Sequence, residues 1–231
     1  AFPELSGVNV PDVLRIPVRS HEAVEDLLSY YVMAVPHVRV VDRPFSETID
    51  LLSRLVEKGL THVLFVSGDK PEGLKLQYDV SPLIIIEAAR ELFPNLKIYG
   101  ALDPYRTSIK EELTYCRLKL KAGANGFFTQ PFFYPELASI YLEQLQGSEI
   151  FLGISPVTTE NSLSYWKNRN AAIFPSQFKL NLDYNAELAA TLTSLAHTYG
   201  QHTYHMPIKV SPVEYMKAVR HRLNSSIEGT V

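Results

Sequence analysis

Two polar residues that could do chemistry directly follow predicted strands. Asp69 comes after the run LFVSG, so its carboxylate stands just past a strand. Gly68 in the same turn would let a backbone approach a ligand closely. The carboxylate could contact a ligand or take part in catalysis, or it could only cap its own turn.

Gln130 is a neutral amide beside a run of aromatic residues. It follows Thr129 at the end of a predicted strand and precedes the sequence PFFY. The amide could hydrogen-bond the edge of a planar heteroaromatic ligand while rings such as Phe132 cover its faces. The same rings could equally pack in an ordinary core.

Three further candidates are His37 and Tyr99 on predicted strands and Lys119 on a predicted helix. His37 could point into a barrel, or it could be a neutral core histidine. Lys119, like Arg117, could belong to a solvated helix face. If Lys119 or Lys209 formed a Schiff base, the chemistry would be that of an aldolase or lyase.

The elements that must position these residues alternate between short β-branched runs and longer segments of helical period. This pattern is typical of parallel βα units, whose active sites lie in the turns after the strands. Open doubly wound sheets place their ligands at the same strand ends. The predicted strands are Val13–Val18, His37–Val41, His62–Val66, Lys97–Ala101, Gly126–Thr129, Glu149–Ile154 and Thr203–Val210.

Most of the intervening helices carry start and stop signals. Ser46 is a plausible N-cap of a helix that stops at Gly59, and Pro82 occupies the first position of the next helix. The predicted helices are 46–58, 81–92, 108–121, 135–146 and 186–199.

The strand count bears on the fold class, because a closed barrel of this kind needs eight strands and seven are predicted. Residues 1–12 are too few for a strand and a helix, and Arg19–Pro36 has room for one helix. We therefore predict one α/β domain over residues 1–231, a (β/α)8 TIM-like barrel that either lacks one βα unit near the N-terminus or fills the gap with a non-strand segment. The edge left by a missing strand would favour a homo-oligomer or a partner subunit.

Composition excludes several classes of function. The net charge of -3 and the lack of a long basic run argue against nucleic acid or a membrane surface as partner. Cys116 is the single cysteine and no Cys/His cluster has zinc spacing, so we expect no metal site and a reducing, cytoplasmic environment. No glycine-rich nucleotide loop and no nucleophile elbow is present.

One longer segment carries a family resemblance. Residues 119–135, KLKAGANGFFTQPFFYP, resemble the signature of the methylenetetrahydrofolate reductase family. Three other segments resemble that family in the same order: Pro36-His37-Val38, the stretch HVLFVSGDKPEG and the stretch EIFLGISPV.

The resemblance implies a flavoprotein of one-carbon metabolism. FAD, or FMN in its place, would pass a hydride from NAD(P)H or electrons from a partner protein to 5,10-methylenetetrahydrofolate, giving 5-methyltetrahydrofolate. It implies catalytic roles for Asp69 and Gln130, and folate contacts for Asp69, Gln130 and Phe132. The implied cofactor-binding residues are His37, Gly68, Asp69, Tyr78, Tyr99, Glu112, Lys119 and Gln130.

Three departures from the family pattern accompany the resemblance. Leu14 stands where the best counterpart of the family's first strand, Phe-Glu-Phe-Phe-Pro, would carry its presumed general acid. Ser67 replaces the arginine of an Arg-Gly-Asp turn, and Asp103 replaces a loop histidine on the phosphate side. The alternative prediction is a non-catalytic or partner-dependent flavin- or folate-binding relative within a methyl-transfer assembly.

Overall fold

The alternating pattern folds into strands and helices that follow one another along the chain. The computed structural model describes residue 2 and residues 5–68 and 78–228, so Asp69 lies outside the described residues. The strands are β1 Gly7–Val10, β2 Met33–Arg39, β3 His62–Val66, β4 Lys97–Leu102, β5 Gly126–Pro131, β6 Glu149–Ile154 and β7 His202–His205. The helices are α1 Ser20–Leu27, α2 Phe45–Glu57, α3 Pro82–Leu92, α4 Ile109–Lys121, α5 Pro135–Gln144, α6 Glu160–Arg169, α7 Leu182–Thr198 and α8 Pro212–Glu228, with a 3-10 turn at Val40–Asp42.

The fold is of the parallel β/α barrel class, as predicted, and seven strands lie in chain order within the described residues. The chain divides into two compact units. The first unit comprises residues 1–101 and 115–127, and the second comprises 102–114 and 128–231. None of the described helices is long and apolar enough to cross a membrane.

The first unit has its own apolar core. Leu51, Leu52 and Leu55 of α2 share one helix face and are buried together with Phe65 of β3 and Ile98 of β4. Leu51 and Leu55 are four residues apart, which is the spacing that places side chains on one side of a helix. This core fixes the strands whose carboxyl ends carry the first group of polar side chains.

The second unit contains a separate aromatic core. Phe133 stacks on Phe174 with ring centroids 4.1 Å apart and meets Trp166 edge to face at 5.7 Å. Val157 and Ala172 complete the buried cluster. This core holds the chain that follows β5 against α6.

The first strand was predicted in the wrong place. Residues 13–18 form turns in which Leu14, Ile16 and Val18 are 40 to 55% exposed, whereas the strand is Gly7–Val10, paired in parallel with the first half of β2. A segment of four residues is too short to be predicted as a strand from its sequence alone, and it forms one here because β2 provides a partner.

The boundaries of two other strands were also wrong. β2 begins at Met33, so His37 lies late in the strand and not early; the internal Pro36, which cannot donate a ladder hydrogen bond, hid its first half. β7 ends at His205 and does not reach Val210. Pro207 interrupts the apolar pattern there.

Candidate functional site

The carboxyl ends of β1 and β2 bring three polar side chains together. The Nε2 atom of His37 lies within hydrogen-bond distance of the Asn9 Oδ1 atom. Ser20 Oγ, at the start of α1, donates to the Val10 carbonyl at 2.6 Å and accepts the His37 N–H at 2.9 Å. The serine therefore ties both strand ends to the helix that follows β1.

Burial keeps the His37 imidazole neutral. Burial lowers its pKa to about 4, and the charge of Asp12 opposes this lowering. Because an amide oxygen can only accept, the hydrogen lies on Nε2 and Nδ1 remains an acceptor. The Asn9 Nδ2 atom is buried and has no hydrogen-bond partner among the described residues.

A network of charged side chains lies next to this pair. Arg19 donates to both carboxylate oxygens of Asp12, at 2.8 and 2.6 Å, and to Asp42 at 2.5 Å. Arg39 pairs with Asp42 at 3.0 Å. Arg43 forms no ion pair with a described residue, and burial lowers its pKa, with the charge of Arg19 acting in the same direction. The three guanidinium groups lie near the carboxylates of Asp12, Asp42 and Glu47, and they supply the cations with which an anionic ligand group could pair.

Gly68 brings the next strand end to the same network. Its φ of +90° is in the left-handed region that favours glycine. A Cβ at this position would lie 2.9 Å from the Arg39 Cζ atom, so the guanidinium packs directly on the glycine. Tyr78, with which the described chain resumes after residue 68, is half-buried and its N–H donates to the Val41 carbonyl at 3.1 Å.

Lys119 is buried in the first unit, so the alternative that it belongs to a solvated helix face is wrong. It is 2% exposed, its Nζ donates to the Ala101 carbonyl, and it lies 4.0 Å from the centre of the Tyr115 ring. Its stem occupies the space above Gly100, where a Cβ would lie 2.7 Å from the Lys119 Cδ atom. Tyr99, on the same strand as Gly100, is fully buried.

In the second unit, the buried Glu112 organises the turn after β4. Its Oε1 accepts the Asp103 N–H at 3.0 Å and its Oε2 accepts from Arg106 at 2.6 Å. Asp103 Oδ1 in turn accepts the Tyr105 N–H at 3.0 Å. Burial raises the pKa of Asp103, while the Tyr105 hydrogen bond and the charge of Arg106 act against this rise. Asp103 is therefore easier to protonate than an exposed aspartate.

We expect Asp103→Asn to raise the unfolding midpoint at pH 7 by a few degrees. A carboxyl whose pKa is raised by folding stabilises the fold fully below its unfolded pKa, and this stabilisation is lost as the pH rises through the folded pKa. Asparagine keeps an acceptor for the Tyr105 N–H and does not titrate. Thermal melts from pH 3.5 to 7.5 would show the two proteins converging at low pH, and a gap that widens toward low pH would contradict this account.

Gln130 and Phe132 lie at the end of β5 in the second unit. Gln130 is half-buried, and its backbone carbonyl accepts a hydrogen bond from Thr129 Oγ1 at 2.7 Å. Phe132 is 1% exposed and packs on Tyr141 with ring centroids 5.8 Å apart. The contacts of Phe132 are those of a core residue, while the Gln130 side chain keeps part of its surface accessible.

The structure thus groups the expected residues in separate sets. His37 and Gly68 accompany the polar cluster of β1 and β2, Tyr99 and Lys119 lie with β4 and α4, and Gln130 lies with Phe132. No group of three or more His, Cys, Asp or Glu side chains in residues 5–68 and 78–228 is arranged to hold a metal ion. His205 in the second unit has its Nδ1 3.0 Å from the Tyr215 hydroxyl.

Sequence reasoning missed the residues that surround His37: Asn9, Asp12, Arg19 and Arg39. The available signal was weak. Asn9 is the only polar residue of GVNV, and Arg39 is a charged residue within the apolar run VPHVRVV. A polar side chain inside a buried parallel strand is unusual enough to be examined as a functional candidate.

The family model described as methylenetetrahydrofolate reductase matches residues 17–196. A 5,10-methylenetetrahydrofolate reductase of Pectobacterium carotovorum subsp. carotovorum is 24% identical over 136 residues, which are 56% of this chain and 46% of that protein. A probable methylenetetrahydrofolate reductase (NADPH) of Caenorhabditis elegans is 28% identical over 138 residues, 55% of this chain and 21% of that protein. The matches thus span less than half the length of either relative.

Solved structures share the fold at low sequence identity. A 2,3-dimethylmalate lyase of the PEP mutase/isocitrate lyase superfamily aligns with a TM-score of 0.52 and 14% identity, covering 92% of this chain and 65% of that chain. An oxaloacetate acetylhydrolase aligns with a TM-score of 0.50 and 12% identity, covering 97% and 84%. At such identities the likeness concerns the fold alone.

Proposed function

We propose, from the premise that this chain belongs to the methylenetetrahydrofolate reductase family, that it is a flavin-dependent enzyme that reduces 5,10-methylenetetrahydrofolate to 5-methyltetrahydrofolate. The observation that carries the proposal is the family match over residues 17–196, which contains each residue to which the resemblance assigns a role. FAD is the proposed cofactor, and FMN is the alternative.

The polar cluster of β1 and β2 fits such a cofactor. A flavin has an uncharged ring with hydrogen-bonding edges and, in its nucleotide forms, anionic phosphates. The buried Asn9 Nδ2 lacks an acceptor among the described residues, and the neighbouring His37 is neutral. Arg43 has no ion pair with a described residue. This donor set suits the ring edge and the phosphate charge together.

When bound, the flavin would supply hydride transfer from a nicotinamide to the methylene group of the folate. The protein would bind and orient the two partners. His37 and Gly68 are proposed flavin contacts in the first unit, with Tyr78 beside them. Gln130, whose amide is partly accessible in the second unit, is proposed to orient the pterin of the folate. Asp69 keeps its proposed role but lies outside the described residues.

Three of the expected cofactor residues have mainly structural contacts. Glu112 is buried and accepts the Asp103 N–H in the turn after β4. Lys119 is buried and donates to the Ala101 carbonyl within β4, and the Tyr99 ring lies 6.1 Å from that of His62. We propose that these residues position the strand ends. We propose that the electron donor is NAD(P)H or a partner protein. We also propose that the protein is cytoplasmic, folds as one domain, and forms a homo-oligomer or associates with a partner subunit.

A second candidate function is a flavin- or folate-binding relative without turnover. The N-terminal segment supports it, because Leu14 stands where the resemblance places the glutamate that is the family's presumed general acid. An aliphatic side chain cannot donate a proton. Ser67, in place of the family's arginine, points in the same direction.

The visible spectrum distinguishes the two candidates. We expect purified protein mixed with FAD to retain the yellow flavin through gel filtration. Without oxygen, NADH or NADPH should bleach the flavin, and 5,10-methylenetetrahydrofolate should restore its colour. Dithionite reduces the flavin in a parallel sample without a nicotinamide. This shows whether a missing reaction is due to the electron donor or to the folate.

Each result has a defined meaning. Failure to retain any flavin would contradict the flavin-dependent enzyme and would leave, of the second candidate, only a folate-binding relative. Retention of flavin that dithionite reduces but the folate cannot reoxidise would favour the non-catalytic relative over the enzyme.

A further inference from the structure

The first strand carries a buried hydrogen-bond donor that the described part of the fold leaves unused. Asn9 Nδ2 has no hydrogen-bond partner among the described residues. A buried donor without an acceptor destabilises the folded state, so folded proteins rarely keep one without a reason. A bound ligand is one such reason.

The orientation of the Asn9 amide is fixed by its neighbours. Its Oδ1 atom meets the Nε2 of His37, and His37 is held in place through its own N–H, which donates to Ser20 Oγ at 2.9 Å. Asn9 also lies in register opposite Val35 in the β1–β2 ladder. The amide therefore presents Nδ2 in one direction before any ligand arrives, which reduces the entropy lost on binding.

The charges around the amide indicate what it would bind. His37 is neutral, so the Asn9–His37 pair offers no net charge to an ion. The cations lie instead on Arg19, Arg39 and Arg43, where an anionic group would be favoured. The amide suits an uncharged acceptor, such as a carbonyl oxygen or ring nitrogen of a planar heterocycle.

We propose that Asn9 binds the cofactor by donating a hydrogen bond from Nδ2 to a carbonyl oxygen or ring nitrogen of the flavin ring. This inference rests on the proposed flavin-binding function. It assigns Asn9 to the ring and not to the phosphates. Removing the donor should therefore weaken riboflavin, FMN and FAD by the same factor, because all three share the ring.

The test is a fluorescence titration of the full chain with each of the three flavins. We expect Asn9→Ala to weaken each flavin by about tenfold, the loss of one hydrogen bond. Asn9→Asp keeps an acceptor for His37 but removes the donor, so it should weaken binding at least as much. It should also raise the pKa of His37, which the imidazole resonances would report.

Thr48→Ala is the control. Thr48 is fully buried in α2 of the same unit, and the change removes its hydrogen bond to the Pro44 carbonyl at 3.3 Å but leaves the Asn9–His37 pair in place. We expect it to lower the unfolding midpoint while keeping flavin affinity within about threefold of the wild type, and keeping the visible absorption maximum of the bound flavin. Asn9→Ala should shift that maximum, which a purely structural role would not do.

The outcomes separate the two levels of the argument. If the wild-type protein binds none of the flavins, the proposed function fails and this inference fails with it. If the wild type binds flavin and both Asn9 variants bind it equally well, the inference alone is wrong. Weakening confined to FMN and FAD would assign Asn9 to the phosphates and would also overturn it.

Discussion

Gly153→Ala is expected to lower the midpoint of thermal unfolding by about 6 to 12 °C, the effect of roughly 3 kcal/mol in a chain of this size. A Cβ at residue 153 would lie 2.6 Å from the carbonyl oxygen of Thr129 on the neighbouring strand. Real Cβ atoms do not approach a backbone oxygen so closely, so one strand must move.

Little room is available for that movement. The Gly153 N–H donates to Thr129 Oγ1 at 2.8 Å, and its carbonyl accepts the Phe132 N–H at 3.1 Å. The Tyr204 hydroxyl donates to the same Thr129 carbonyl and would lie 3.1 Å from the new Cβ. Because these contacts fix the end of β5, we also expect the substitution to disturb Gln130.

Gly200→Ala provides the control for this prediction. Gly200 has a φ of +67°, and a Cβ there would meet nothing within 4 Å, so only backbone strain of about 1 kcal/mol is expected. Circular dichroism melts of the two variants measure the difference. If Gly153→Ala costs no more than Gly200→Ala, crowding at β5 and β6 is not what requires glycine at residue 153.

Much of the fold was predictable from local patterns. Helices α2 and α3 appeared within one residue of their predicted positions, because an apolar stripe and a proline at the first turn are local signals. Strand β3 matched its predicted bounds because His62–Val66 is a compact apolar run. Seven strands were predicted and the described residues form a seven-stranded sheet, although the predicted strand Val13–Val18 was in the wrong place.

Other features depend on pairing between distant segments and could not be predicted. The strand Gly7–Val10 has little strand character alone, and only its ladder with β2 makes it a strand. The strand predicted at Val13–Val18 is instead an exposed turn around Leu14. Asn9 stayed hidden because a single asparagine gives no signal until β2 brings His37 beside it.

The burial of Lys119 illustrates the same limit within one helix. Arg117 and Lys121 lie two residues before and two residues after it, so the pattern CRLKLK favours a solvated face. The side chain turns inward because Gly100, on β4, has no Cβ and leaves space for the lysine stem. Only the three-dimensional pairing of helix and strand makes that space visible.

Lys119→Ala is therefore expected to destabilise the protein by about 2 to 4 kcal/mol, which combines a packing cavity with the loss of a donor to the Ala101 carbonyl. Lys119→Met should recover at least half of this loss, because it keeps the volume of the stem. Lys121→Ala, an exposed change on the same helix, should stay within about 0.5 kcal/mol of the wild type. Chemical unfolding of the three variants measures these differences, and a Lys119→Ala protein as stable as Lys121→Ala would show that the buried stem contributes nothing.

A double-variant cycle tests the pairing of Lys119 with Gly100 directly. Gly100→Ala places a Cβ 2.7 Å from the Lys119 Cδ atom, so in the wild-type background the lysine must leave its position. In the Lys119→Ala background that Cβ instead enters the vacated space. We expect the double variant to be more stable than the sum of the two single losses predicts, by about 1 to 2 kcal/mol. Strict additivity would mean that the two residues do not share this space, and Lys119 would then have to be buried for a reason other than the missing Cβ of Gly100.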